Sequence, residues 1–248
     1  ELKNHFPNEN YLYLGDTARL PYGTKSPSTV RKYSEQNIEF LAKKNVKAEI
    51  IACNTASSYF LEHQWMDRPI YNVVEPGALS AIAASTNKRI GVLGTRTTIQ
   101  SQSYNKAIER FSEKLSLEHK VFSQACPLFV PLAEEGWIDD PITNLIAYRY
   151  VHPLLSFGID TLILGCTHYP ILKNSVLKVV GPSVHLIDSG QAIAQQLEKD
   201  LQEQRFLASD ATLGQIHIYS TDLSETLKIQ ATRILSPHPI LEFGLVDL

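Results

Sequence analysis

Short apolar runs alternate along the chain with stretches of helical periodicity, and most of the runs stop at a glycine, a cysteine or a hydroxyl side chain. Runs at 11–14, 50–53, 70–74, 90–93, 120–123, 161–164, 184–187, 216–219 and 241–246 predict strands. Ser26 before Pro27 reads as a helix cap, and Val30, Tyr33, Ile38 and Leu41 then give one apolar face up to Lys44. Asn54 or Thr55 caps a helix expected to carry Tyr59, Phe60 and Leu61 toward Gln64. Further helices are predicted at 78–85, 103–114, 142–157 with a bend at Pro153, after Pro170, at 192–204 and at 223–235. Residues 1–7 read as the tail of a helix running into a loop. Glu75-Pro76-Gly77 reads as a break, Gly94-Thr95-Arg96-Thr97-Thr98 as a hydroxyl-rich turn, and the prolines at 127 and 131 as a loop with a short helical turn.

Strand and helix alternate almost throughout, which is the pattern of an α/β protein with mainly parallel sheets. Two strand ends are built alike: Ile50-Ile51-Ala52-Cys53-Asn54-Thr55-Ala56-Ser57 and Leu162-Ile163-Leu164-Gly165-Cys166-Thr167-His168-Tyr169-Pro170. The expected architecture is therefore two similar open, mainly parallel-sheet α/β domains with the active site in the cleft between them. Residues 1–76 and 189–248 form the first domain and 77–188 the second, the crossover falling at Glu75-Pro76-Gly77.

A thiol at the carboxyl end of a parallel strand sits where an open α/β sheet places its ligand. The free N–H groups of the helix start that follows lower a thiol pKa and bind a carboxylate. Two such thiols facing each other could take a proton from one face of a carbon and deliver one to the other. The reaction this suits is inversion of a stereocentre next to a carboxylate.

Composition narrows the field. The chain has 248 residues, of which 44% are hydrophobic, enough for one large domain or two ordinary ones. A net charge of −3, with no Lys/Arg block, disfavours nucleic acid as a partner. No apolar run approaches the roughly 20 residues of a membrane span, and Glu1-Leu2-Lys3-Asn4-His5 is not a signal peptide, so a cytoplasmic location is expected. Three cysteines, Cys53, Cys126 and Cys166, are too few and too scattered for a disulfide framework or a Cys-x-x-Cys zinc site, and no metal is expected.

Four motifs in order resemble bacterial glutamate racemase: Gly15-Asp16-Thr17-Ala18-Arg19 with Pro21-Tyr22-Gly23; Ala52-Cys53-Asn54-Thr55-Ala56-Ser57; Cys126-Pro127-Leu128-Phe129-Val130-Pro131-Leu132 with Glu134-Glu135-Gly136; and Gly165-Cys166-Thr167-His168-Tyr169-Pro170. The resemblance implies cofactor-independent interconversion of L- and D-glutamate, supplying D-glutamate for peptidoglycan. It implies that Cys53 and Cys166 are the two acid/base thiols, with His168 auxiliary to Cys166 and Glu134 the acid on that side. Tyr22, Gly23, Asn54, Thr55, Thr167 and His168 would line the glutamate site. A homodimer is compatible with this reading. The family opens with a strand ending in an Asp-Ser-Gly turn, which the chain as given would follow; Asp188-Ser189-Gly190 repeats the letters at a later strand end and does not inherit that role.

Each residue also has a plainer reading. A free cysteine is most often a small buried hydrophobe, and Cys126, without a polar sequel, is read that way. The matched contexts of Cys53 and Cys166 argue otherwise, because packing alone needs no amide and hydroxyl groups after each thiol. His168 taken singly suits a cap or a surface, but two residues from an acid/base thiol it can hold or relay a proton. Glu135 competes with Glu134, Tyr22 could serve the core, and Asp16 with Arg19 reads as a pair that holds its loop. A racemase for aspartate or another amino acid would share both thiols. A cysteine hydrolase would need one thiol with a histidine base, and a binding protein would need neither.

Overall fold

The computed structural model describes residues 1–203, 207–208 and 212–248. Helix α1 (Leu2–His5) leads into β1 (Tyr11–Gly15), and two 3-10 turns carry the chain to α2 (Pro27–Ala42). The Ser26 hydroxyl caps α2 by accepting from the Thr29 N–H at 3.3 Å, with Pro27 in the first turn. The buried stripe of α2 is Val30, Ser34, Ile38 and Ala42. It is rotated slightly from the expected face because Tyr33 lies at the margin, under the Arg19 guanidinium 4.2 Å from its ring centre. Next come β2 (Glu49–Ile51), α3 (Asn54–Ser57), β3 (Gln64–Trp65) and β4 (Arg68–Asn72). Strands β2 and β4 pair in parallel, with the two-residue β3 antiparallel on β4.

Two expectations fail in this stretch. The helix after Cys53 does not reach Gln64; it ends after one turn. Ser57 Oγ donates to Ile51 O at 2.9 Å and Ser58 Oγ to Asn54 O at 2.8 Å, and Phe60 turns fully inward against Ile38 and Ile70. Serine hydroxyls competing for backbone groups and a large ring seeking the core override the helical pattern. The second concerns Glu75-Pro76-Gly77, which does not break anything: α4 (Val74–Ala84) runs through it. Asn72 Oδ1 accepts from Val74 N–H at 3.0 Å and Glu75 N–H at 3.2 Å, so it caps the helix. Pro76 then falls in the first turn, where an N–H has no partner to lose. The strand before it accordingly ends at Asn72 rather than at Val74.

The next sheet is built from β5 (Arg89–Gly94), β6 (Lys120–Ala125), β7 (Thr161–Gly165) and β8 (His185–Asp188), in the order β6-β5-β7-β8 and all parallel. The connections are α5 (Arg96–Ser101), α6 (Ser103–Lys114), α7 (Phe129–Glu134), α8 (Pro141–Leu155) and α9 (Lys173–Val180). The expected hydroxyl-rich turn after β5 is in fact the start of α5, with Thr95 Oγ1 capping it by accepting from Thr98 N–H at 3.2 Å. Pro153 is tolerated near the end of α8, where only one carbonyl loses its partner. All five residues of β7 are buried. Leu162 and Leu164 face the α7, α8 and α9 side with Leu93, Phe129 and Val151, while Ile163 faces Ala78, Tyr104 and Ile108 of α4 and α6. That alternation on a strand covered on both faces explains the continuous apolar run.

Helix α10 (Ser189–Glu203) starts directly at the end of β8, three residues earlier than its periodicity suggests, and its expected last residue, Gln204, lies outside the described residues. Strand β9 (Ile216–Ser220), helix α11 (Glu225–Leu235) and strand β10 (Ile240–Leu245) follow. They complete a third sheet, ordered β1-β9-β10 and parallel. The result is a mixed α/β fold with parallel sheets. Among the described residues no helix is long and apolar enough to cross a membrane.

Candidate active site

The carboxyl ends of β2, β5, β7 and β8 converge, and each delivers a small polar side chain at the point where the strand gives way to a helix or turn: Cys53, Thr95, Cys166 and Ser189. Cys53 stands at the cap of α3, where helix N–H groups point at it. Cys166 immediately follows β7, where Gly165 lets the strand end pack closely; a Cβ there would lie 2.5 Å from Leu93 O. The two thiols are near enough that charge on Cys53 raises the Cys166 thiol.

The environments differ. Burial pushes the Cys53 thiol up, and hydrogen bonds from the Ala56 and Thr55 N–H groups and the Thr55 hydroxyl pull it back. Cys166 is pushed up to about 12, chiefly by burial, against the opposing His168 N–H and Thr167 hydroxyl, with Cys53 and Glu134 adding to the rise. Its Sγ lies 3.9 Å from His168 Nδ1, and Thr167 Oγ1 lies 3.3 Å from the same nitrogen. His168 Nε2 is 3.3 Å from Glu134 Oε1. Of the two adjacent acids, Glu134 is thus the one set against the imidazole. Cys126 is wholly buried, with its thiol directed at Gln124 O, as its plain context suggests.

Asn54, Thr55 and Gly23 form the seam between the strand ends. Thr55 Oγ1 lies 3.0 Å from Thr95 Oγ1 and 3.1 Å from Thr98 Oγ1. The carbonyl of Gly23 accepts from Thr97 Oγ1 at 2.8 Å, and a Cβ at Gly23 would come within 2.7 Å of Thr95, so only glycine fits. Tyr22 packs with Val30 and Ala56, in contact with Cys53, and its hydroxyl donates to Asp16 while accepting from Asn37 Nδ2 at 3.1 Å. Arg19 Nε holds Asp16 at 2.7 and 2.8 Å, the loop-fixing pair read from the sequence. Thr167 is exposed, free to meet a ligand from solvent.

Sequence reasoning missed Tyr104 and set Ser189 aside. Tyr104 OH donates to Asn54 Oδ1 at 2.6 Å and Asn54 Nδ2 donates to Ser189 Oγ at 3.2 Å. A tyrosine on a helix face reads as ordinary core, and no local signal separates it from one. Thr98 was visible only as one of a hydroxyl cluster. Chemically, the assembly offers two thiols, one imidazole backed by a carboxylate, and a set of N–H and hydroxyl donors suited to a carboxylate ligand.

Comparison with known proteins agrees with this geometry. A family model described as Asp/Glu/Hydantoin racemase matches residues 1–197. The glutamate racemase of Geobacter metallireducens is 43% identical over 225 residues, covering 90% of this chain and 82% of that protein. The crystal structure of a glutamate racemase isoform from Bacillus anthracis superposes with a TM-score of 0.91 at 33% identity, covering 100% of this chain and 91% of that one. That of the Francisella tularensis glutamate racemase in complex with D-glutamate gives a TM-score of 0.87 at 33% identity, covering 99% and 90%. With both thiol-bearing strand ends in place on the same fold, the chain belongs to the Asp/Glu/Hydantoin racemase family, among its glutamate racemases.

Proposed function

We propose that the protein interconverts L- and D-glutamate by a two-thiol mechanism without a cofactor, and that it supplies D-glutamate for peptidoglycan from the cytoplasm. The observation that carries this reading is the pair of thiols, Cys53 and Cys166, at strand ends of different sheets, with Cys53 near enough for its charge to raise the Cys166 thiol. The D-glutamate complex of the Francisella relative supports the substrate. The working division is residues 1–76 with 189–248 against 77–188, with glutamate held between them.

Glutamate's carboxylates are bound by N–H and hydroxyl groups around Gly23, Asn54, Thr55 and Thr167, with Tyr22 closing the wall beside Cys53 and His168 reaching in from the Cys166 side. Burial raises both thiols, which rest protonated near neutral pH. The substrate's α-ammonium brings positive charge between them and favours one thiolate. One proton then leaves the pair: from Cys166 to His168, whose imidazolium Glu134 stabilises, or from Cys53 to solvent, the Thr55 and Ala56 donors stabilising the thiolate left behind. The thiolate removes the α-proton and becomes a thiol. The opposed thiol then protonates the other face of the carbanion and becomes the thiolate, so each turnover inverts the carbon and exchanges the two sulfur protonation states.

The test is incubation with L-glutamate in deuterated water without added cofactor, for wild type, Cys53→Ser and Cys166→Ser. The expected result is D-glutamate carrying α-deuterium from wild type, and near-abolished racemisation in both directions from either variant. Substantial racemisation by either serine variant would refute the two-thiol assignment.

A further inference from the structure

Tyr104, on α6, is 2% exposed and touches the surroundings of both thiols. Its hydroxyl donates to Asn54 Oδ1 at 2.6 Å, directly after Cys53. Asn54 Nδ2 in turn donates to Ser189 Oγ at 3.2 Å. Three side chains from α6, α3 and α10 are therefore linked in a row, with the Asn54 amide in the middle. The ring reaches this place because two glycines stand aside. A Cβ at Gly77 would lie 3.2 Å from Tyr104 Cε1, and a Cβ at Gly165, the residue before Cys166, 3.0 Å from Cε2. Burial, with Cys166 and Asp188 nearby, pushes the phenol well above its ordinary value, so it stays a donor.

A phenylalanine would fill the same space between the two glycines. What the hydroxyl adds is a fixed orientation for the Asn54 amide, and with it the helix start whose N–H groups face Cys53. We propose that Tyr104 is a positioning residue for racemisation: its hydroxyl fixes the Cys53–Asn54 turn while its ring edge rests on the backbone that carries Cys166, so one side chain sets the placement of the two sulfurs relative to each other. The proposal rests on the two-thiol reading above.

The experiment compares wild type, Tyr104→Phe, Asn54→Ala and the double variant, with the thermal midpoint of each. For Tyr104→Phe we expect a roughly tenfold fall in kcat/KM, the size of one lost buried hydrogen bond, carried by kcat with KM within about twofold. In the Asn54→Ala background the same substitution should cost nothing further, because the hydroxyl has lost the acceptor through which it acts. A second readout does not depend on turnover: iodoacetamide alkylation of Cys53 and Cys166 as a function of pH, followed by mass for each peptide. Tyr104→Phe should change the ratio of the two rates by at least about threefold. Unchanged kinetics and an unchanged alkylation ratio would overturn the proposal, as would equal losses in the two backgrounds, which a purely packing role predicts. If wild type does not racemise glutamate, it is the functional reading that falls, and the alkylation ratio still decides the role of Tyr104.

Discussion

Glu49 opens β2 with its carboxyl turned inward opposite Ile70; it is 3% exposed, and among the described residues neither oxygen has a hydrogen-bond partner. Arg68 is the cation that acts on it, but its guanidinium is occupied with Ala42 O and Asn45 Oδ1. Burial raises the carboxyl from 4.5 to about 7, partly offset by Arg68. The sign follows from proton binding. Below pH 4.5 the folded and unfolded chains both hold the proton, and the stability is whole; between 4.5 and about 7 only the folded chain keeps it, so stability falls as pH rises. The shift of about 2.5 pH units corresponds to about 3 kcal/mol lost by the time pH passes 7. Glu49→Gln cannot ionise and should remove that slope. Urea unfolding from about pH 4 to about pH 8 should show the variant level with wild type at the acid end and more stable by about 3 kcal/mol at the alkaline end, roughly 6–12 °C in Tm. Parallel curves across that window would refute the claim that Glu49 is buried without compensation.

Asp160 is the opposite case: it accepts from Ser85 Oγ at 2.6 Å, from the Thr86 and Asn87 N–H groups at 2.7 Å each, and from Thr86 Oγ1 at 3.0 Å, and these bonds lower it to about 2 against the cost of its own desolvation. Asp160→Asn should cost about 2 kcal/mol at neutral pH by chemical denaturation, a difference that disappears as the wild-type carboxylate protonates on the way down to pH 2. Glu134→Gln should lower kcat/KM equally in both directions, since enantiomers are equal in free energy. Its α-deuterium isotope effect should rise only in the direction in which Cys166 abstracts the proton, and a rise in both would detach Glu134 from that thiol. Gly165→Ala should fold poorly, because the added Cβ would meet Leu93 O at 2.5 Å, and a soluble variant with wild-type Tm would contradict that packing.

Much of this was legible from residue order. The Ser26-Pro27 cap, the span of α6, the continuous burial of β7 and the two thiol-bearing strand ends all follow from local chemistry that tertiary contacts reinforce. What was hidden depended on distant partners. The single turn of α3 is decided by Phe60 finding Ile38 and Ile70, and the early start of α4 by the Asn72 side chain, neither of which periodicity encodes. The phase of α7 chose Glu134 over Glu135 for His168, and a one-residue ambiguity of that kind needs the helix in three dimensions. Tyr104 was invisible for a stronger reason: its significance lies in an amide and two glycines far away in the chain.

Around the thiols, the bonds across the strand ends join Thr55 with Thr95 and Thr98, Asn54 with Tyr104 and Ser189, and Gly23, in the turn before α2, with Thr97, all of them uncharged groups. Dissolved ions weaken attraction between charges and leave such neutral contacts almost untouched. The seam at this point should therefore be indifferent to ionic strength, and any salt dependence of turnover would report on charged groups, the entering ligand and the His168–Glu134 pair among them, rather than on the seam.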